Sequence, residues 1–207
     1  MPVETLLALT AYAFVAAITP GPNNMMLLAS GISFGIARTL PHMAGVVLGF
    51  GAMVLAVGLG IGAVFSLVPQ LAAVLRIAGT LYLLWLAWQI ARGSAAGGGS
   101  GGEGKAPRRP MSFLGAAAFQ WVNPKGWTML IGAISAFAPA PARPESIAVM
   151  ALVFAAVCVP AVLAWTAFGT ALRALLAGSG AARWLNYAMA AVLCASTIPA
   201  VVEIVGR

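Results

Sequence analysis

Thr19-Pro20-Gly21-Pro22-Asn23-Asn24 and Asn123-Pro124-Lys125-Gly126 interrupt two apolar segments, each long enough to cross a bilayer. An interior proline removes a backbone hydrogen bond, clashes with the preceding turn and costs a helix about 3 kcal/mol. Hydrocarbon cannot satisfy the backbone groups that such a break frees. Irregular backbone at that depth survives only where it is buried in protein or lines a polar cavity.

Composition supplies the bilayer. The chain has 207 residues, 62% hydrophobic and only 7% charged, with a mean hydropathy of +1.00. A soluble domain carries roughly 25% charged residues, so this one cannot cover a soluble surface and reads as an integral membrane protein. It contains no aspartate, and its acids are Glu4, Glu103, Glu145 and Glu203. The net charge of +7 is spread between apolar segments and does not imply nucleic-acid binding. Cys158 and Cys194 lie in apolar runs without C-x-x-C or metal spacing, and read as small packing residues. Neither a cofactor nor a metal is expected. The N-terminus lacks the basic region of a cleavable signal, and residues 1 to 18 read as mature protein.

A span needs about 20 apolar residues. Six are expected, over about 4–36, 40–67, 71–91, 111–138, 145–172 and 183–203. The first and fourth contain the breaks. An unbroken helix over the first would be roughly 50 Å long, against a hydrocarbon core of about 30 Å, so it must bend, tilt or re-enter. A Gly- and Ser-rich stretch divides the chain, giving one transmembrane domain with repeat 1 at 1–92, a flexible linker at 93–110 and repeat 2 at 111–207. A shift of about 104 residues lays Pro20 on Pro124. Three spans per repeat force the halves into opposite orientations, and this predicts an all-α, 3+3 inverted-repeat architecture. Arg38, Arg92, Lys105, Arg108, Arg109, Arg173 and Arg183 fall on one side of that arrangement, which is therefore cytoplasmic, with the 93–110 loop inside and both termini outside.

Paired breaks in two halves are a pointer to a transporter's substrate site. Asn123-Pro124 reads as an N-cap followed by proline at the first helical position, and Thr19-Pro20 or Gly21-Pro22 can start a second half-helix the same way. Such N-termini attract anions. The carbonyl ends of the preceding half-helices, around Ile18 and Trp121, suit a cation. Together they suit a zwitterion. Lys125 sits near the middle of its span, where a lysine costs roughly 2.5–3.5 kcal/mol on insertion scales, and it has no evident counter-ion. Three arrangements would settle it: a neutral amine, an ammonium held by carbonyls, or one completed by a substrate carboxylate. Gln120 lines the cavity or hydrogen-bonds the break. His42 reads as a satisfied histidine, with a proton relay as the alternative. Trp121, Trp127 and Trp165 either pack or line a pathway, whereas Trp85 and Trp88 read as lipid-facing anchors. Pro160 and Pro199 read as kinks. Gly45-x-x-x-Gly49 and Gly58-x-x-x-Gly62 allow close helix packing, within the bundle or at a dimer seam.

These residues resemble the LysE/RhtB amino-acid exporter family: T-P-G-P-N-N at Thr19 to Asn24, the Gly31/Gly35 spacing, Gly45 and Gly49, the run Leu81 to Trp88, and Phe119-Gln120-Trp121-Val122-Asn123-Pro124-Lys125. Pro22-Asn23-Asn24, Trp-Leu-Ala-Trp and Phe119-Gln120 are most similar to the branch that exports cysteine and O-acetylserine. The resemblance covers essentially the whole chain. It implies efflux of amino acids or their derivatives across the bacterial inner membrane, driven by the proton gradient, by a secondary transporter and not an enzyme. Some members carry intramembrane acids in the fifth span, where this chain reads Val157-Cys158-Val159-Pro160. That favours a small neutral amino acid or acylated derivative over a dibasic one. The expected substrate-binding residues are Thr19, Pro20, Gly21, Pro22, Asn23, Asn24, Gln120, Asn123, Pro124 and Lys125, with Lys125 and His42 as candidates for proton coupling. The expected partners are the bilayer, a small zwitterion, protons and, as one reading of the glycine seam, a second copy of the chain. The alternatives are a cation or metal exporter, and a thiol-redox membrane enzyme working through Cys158 and Cys194.

Overall fold

The computed structural model describes residues 1–61, 67, 69–92, 109–138, 143–176 and 181–205. Most of the expected linker, 93–108, and Gly62 lie outside the described residues. The elements are α1 (Val3–Ile18), α2 (Pro22–Ala56) continued by a π-helical turn (Val57–Ile61), α3 (Pro69–Ala91), α4 (Phe113–Phe119) continued by a 3-10 turn (Gln120–Val122), α5 (Pro124–Phe137), α6 (Pro144–Leu176) and α7 (Ala181–Val205). No strand occurs among the described residues. Four helical stretches are long and apolar enough to cross a membrane: Pro22–Gly60, Ala73–Ala91, Pro144–Leu176 and Ala181–Val202. Six such spans were expected. The stretches expected as the first and fourth are each divided between two helices, because the proline breaks end α1 at Ile18 and α4 with its 3-10 turn before Asn123.

The longest of the four stretches is itself two helices. Gly35 has φ +76° and ψ 175°, a conformation essentially reserved for glycine. Across it, the Ser30 and Thr39 hydroxyls lie 3.0 Å apart although nine residues separate them; along a straight helix they would be roughly 13.5 Å apart. The chain therefore folds back at Gly35, and α2 consists of α2a (22–34) and α2b (36–56). Thr39 Oγ1 also donates to the Gly35 carbonyl at 2.8 Å, which ties the corner. A Cβ at Gly35 would meet no atom within 4 Å, so the demand is purely one of backbone conformation. Gly35→Ala is expected to destabilise the fold by about 1–3 kcal/mol. Thermal unfolding in detergent checks this, and an unchanged midpoint would show that the corner tolerates an L-residue.

α6 is the spine of the bundle. Gly31 of α2a and Gly169 of α6 are mutual contact points: a Cβ at Gly31 would collide with the Thr166 carbonyl, and one at Gly169 with the Leu28 carbonyl. α2b runs antiparallel to α6, with Phe50 beside Phe154 and Gly58 against Ile147. α4 lies on α2b, where Gly45 faces Phe113 and Ala116 and Gly49 faces Ala117. The Gly45/Gly49 stripe is thus used within the chain. α3 and α7 form a second layer around buried Leu83, Ala87, Ile90, Met189 and Leu193, and Gly79 brings α3 onto the Val122 carbonyl. α2, α6 and α7 run on through Pro41, Pro160 and Pro199. The outer surface is apolar, with Trp85 and Trp88 50% and 53% exposed, as contact with lipid requires.

Candidate functional site

α1 ends at Ile18, and Thr19 and Gly21 have extended backbone before Pro22 opens α2a at its first position, with Gly21 as N-cap. The last carbonyls of a helix have no partner within it, and in a bilayer each needs one. Here side chains supply them. Thr19 Oγ1 donates to Ala16 O at 3.0 Å. Asn24 Nδ2 reaches back to Ala17 O at 2.9 Å and Thr19 O at 2.8 Å. The Trp165 indole donates to Ile18 O at 3.1 Å. The Lys125 ammonium, 106 residues away, closes the series with Thr19 O at 2.5 Å, Thr19 Oγ1 at 2.9 Å and Pro20 O at 3.3 Å.

The second break has the same logic. The 3-10 turn Gln120–Val122 leads to Asn123, which caps α5 by accepting the Lys125 backbone N–H on Oδ1 at 3.2 Å, and Pro124 takes the first helical position. The Trp127 indole donates to Trp121 O at 2.8 Å. Gln120 is fully buried and forms a reciprocal amide pair with Asn23, Asn23 Nδ2 donating to Gln120 Oε1 at 2.9 Å and Gln120 Nε2 to Asn23 Oδ1 at 3.3 Å; Nε2 also donates to Ala116 O at 2.8 Å. Two links therefore join the breaks: this amide pair and the Lys125 arm. The arm lies over Gly21, where a Cβ would come within 2.5 Å of Lys125 Cδ. A side chain at Gly21 would thus push the Lys125 arm aside; the φ of −176° there is ordinary extended backbone.

Between the breaks lies a cavity of about 40 Å³, with Gly21, Asn23, Asn24, Gln120, Asn123 and Lys125 in its wall. Six of the ten expected binding residues meet there. Thr19 and Pro20 act through the oxygens that hold Lys125. Pro22 and Pro124 set the helix starts. The Ile18 and Trp121 carbonyls accept indole N–H groups, and the oxygens that hold the Lys125 amine are those of Thr19 and Pro20, next along the chain from Ile18. His42 is 2% exposed, and neither ring nitrogen has a hydrogen-bond partner, so it is not a satisfied histidine. It stands one helical turn from Val46, which lines the cavity. The apolar part of the wall, which includes Phe50, Met129 and Cys158, was not foreseen, because apolar residues in apolar helices carry no distinguishing signal.

The far side of the second break faces a larger space of about 550 Å³, bordered by Arg76, Trp121, Pro124, Trp127, Thr128 and Pro199 among others. Residues of the turn 120–125 thus border both spaces, Gln120, Asn123 and Lys125 the smaller and Trp121, Val122 and Pro124 the larger. Among the described residues no three His, Cys, Asp or Glu side chains gather. Cys158 and Cys194 are both free thiols, one partly buried and the other exposed.

Long apolar helices surrounding a cavity that gathers polar side chains from two chain breaks define a multi-pass membrane protein. The chain belongs to the LysE type translocator family, whose model matches residues 14–201. It is 34% identical over 200 residues to a cysteine/O-acetylserine efflux protein of Klebsiella pneumoniae, covering 95% of this chain and 96% of the relative. Proteins of the same description from Salmonella typhi and Escherichia coli are 35% and 36% identical over 135 residues, covering 64% of this chain and 65% of each relative. No solved structure matches the chain.

Proposed function

We propose that the protein exports small neutral amino acids or their derivatives, of the cysteine and O-acetylserine kind, across the bacterial inner membrane. In this reading α1 with α2a, and α4 with α5, are the broken first spans of two inverted three-span repeats. The termini face the periplasm, the 93–110 loop faces the cytoplasm, and a proton is exchanged for the cargo by alternating access. The full-length relative's description supports the cargo. Folding back at Gly35 supports counting α2a and α2b as parts of separate spans.

The observation that carries the mechanism is the Lys125 ammonium in the oxygen cradle of Thr19 and Pro20. None of these three oxygens belongs to a carboxylate, so the lysine meets partial charges only. A substrate carboxylate would be a stronger partner, because ionised acceptors make hydrogen bonds about twice as strong as neutral ones. A zwitterion arriving between the breaks draws the lysine to its carboxylate and offers its own ammonium to the vacated oxygens. Cargo thereby replaces an intramolecular tie between the repeats. Exchange requires that Lys125 carry its proton through the cargo-free half of the cycle and give it up in the cargo-bound half, when the cargo's own ammonium takes the Thr19 and Pro20 oxygens. A water needs about 10–15 Å³ of such space, so the present cavity has room for roughly three waters and must widen to admit an amino acid.

Purified protein in proteoliposomes is expected to move cysteine and O-acetylserine against their gradients when an inward proton gradient is imposed on the export direction, and to stop when an ionophore collapses it. A panel of neutral, acidic and basic amino acids run in parallel tests the class. Transport of none of the neutral ones, or of basic ones alone, would overturn the reading.

A further inference from the structure

The polar side chains of the cavity come from the two breaks. Much of the remaining wall comes from other elements: Val46 and Phe50, one turn apart on α2b, Met129 of α5, and Cys158 and Val162 of α6. Phe50 is backed by Phe154, ring centroids 5.2 Å apart and edge to face at 83°, and both rings are buried. This wall is stiff behind Phe50. It is more adaptable at Met129 and Cys158, whose sulfurs are polarizable and only weak hydrogen-bonding groups. No carboxylate lines the cavity. A cationic side chain lodged there would lie in the same cavity as the Lys125 ammonium with nothing to pair it, and an unpaired buried charge is strongly disfavoured. An anionic side chain against Phe50 and Val162 would lose its solvation without gaining a donor from them.

We propose that this wall is the side-chain subsite of the cavity, built for a short, uncharged, weakly polar side chain such as a thiol or an ester, with Met129 and Cys158 setting its length limit. The proposal rests on the cavity being the substrate site and names what that site selects. Orientation follows from it: the zwitterionic end is held at the breaks by Lys125 and the Thr19 and Pro20 oxygens, and the side chain points between α2b and α6.

The test compares transport ratios in proteoliposomes, which cancel differences in the amount of active protein. Met129→Ala lengthens the subsite, and Cys158→Leu fills it. A methylene in an apolar pocket is worth about 10–200-fold in discrimination. The norleucine-to-cysteine ratio is therefore expected to rise about 10-fold or more in Met129→Ala, and the cysteine-to-alanine ratio to fall by a similar factor in Cys158→Leu. Lysine remains excluded throughout. If Met129→Ala does not fold, Cys158→Ala replaces it, with the same expected direction. Unchanged ratios in folded variants of a protein that transports cysteine would overturn the subsite and leave the exporter reading standing. A wild-type protein that transports none of the three neutral amino acids would overturn the exporter reading itself.

Discussion

Lys125→Ala is expected to reduce proton-coupled export in proteoliposomes by about 100-fold or more. The ammonium makes three hydrogen bonds to the first break, and hydrogen bonds to charged groups contribute about 1.5–3 kcal/mol each. Loss of even two such contacts to a bound carboxylate corresponds to a factor on the order of 100 or more in affinity. Alanine also removes the group that joins the breaks when no cargo is present. Lys125→Arg separates binding from coupling, because arginine keeps its charge but does not release a proton under ordinary conditions. That variant is expected to retain exchange of labelled for unlabelled substrate while losing accumulation driven by a pH gradient. Full uphill export by Lys125→Ala would remove the lysine from the mechanism. Full uphill export by Lys125→Arg would remove its proton and leave its charge.

Gly31→Leu and Gly169→Leu are each expected to abolish recovery of folded protein. At this crossing a Cβ on either glycine would collide with backbone of the other helix, the Thr166 carbonyl for Gly31 and the Leu28 carbonyl for Gly169. Backbone in two packed helices cannot swing aside as a side chain can. Overpacking costs typically 1–3 kcal/mol and occasionally more, and a rigid obstacle on both sides places these substitutions at the upper end. The crossing also holds α2a in line with the first break, so a variant that does fold should be slow in transport. Gly51→Ala is the control: a Cβ there meets nothing within 4 Å, and its helical setting favours alanine over glycine by up to about 1 kcal/mol. Size-exclusion chromatography and thermal unfolding distinguish the three. Normal yield and stability of Gly31→Leu would show that the helices are not in the contact described.

Much of the site was legible because its chemistry is local. Asn123-Pro124 announces a cap and a helix start on any scaffold, and α5 begins there. Lys125 stood out because a mid-span cation without a nearby acid must find oxygens somewhere. The Gly21-Pro22 start was legible only as one of two options, since either proline could take the first helical position, and the extended Thr19 and Gly21 chose the later one. Gly35 was noticed as part of a motif but not as a corner, because a glycine in an apolar run looks the same whether it packs, bends or turns. Of the two readings given for His42, the satisfied histidine did not hold. Whether a histidine finds a partner depends on neighbours from other helices, and here none of them reaches its nitrogens.

The sequence by itself determined the membrane setting, the helical class and the positions of both breaks. Each follows from short-range physics: too few charges for a soluble surface, prolines that cannot donate, and a solvent that cannot accept. Only the tertiary structure decided which oxygens hold Lys125, that Asn23 pairs with Gln120 across 97 residues, and which apolar residues face the cavity. In water, a buried helix face differs in polarity from an exposed one, and periodicity reports the difference. In lipid, both faces are apolar, so facing is settled by packing between helices. In this chain that packing rests on glycines set against a neighbour's backbone.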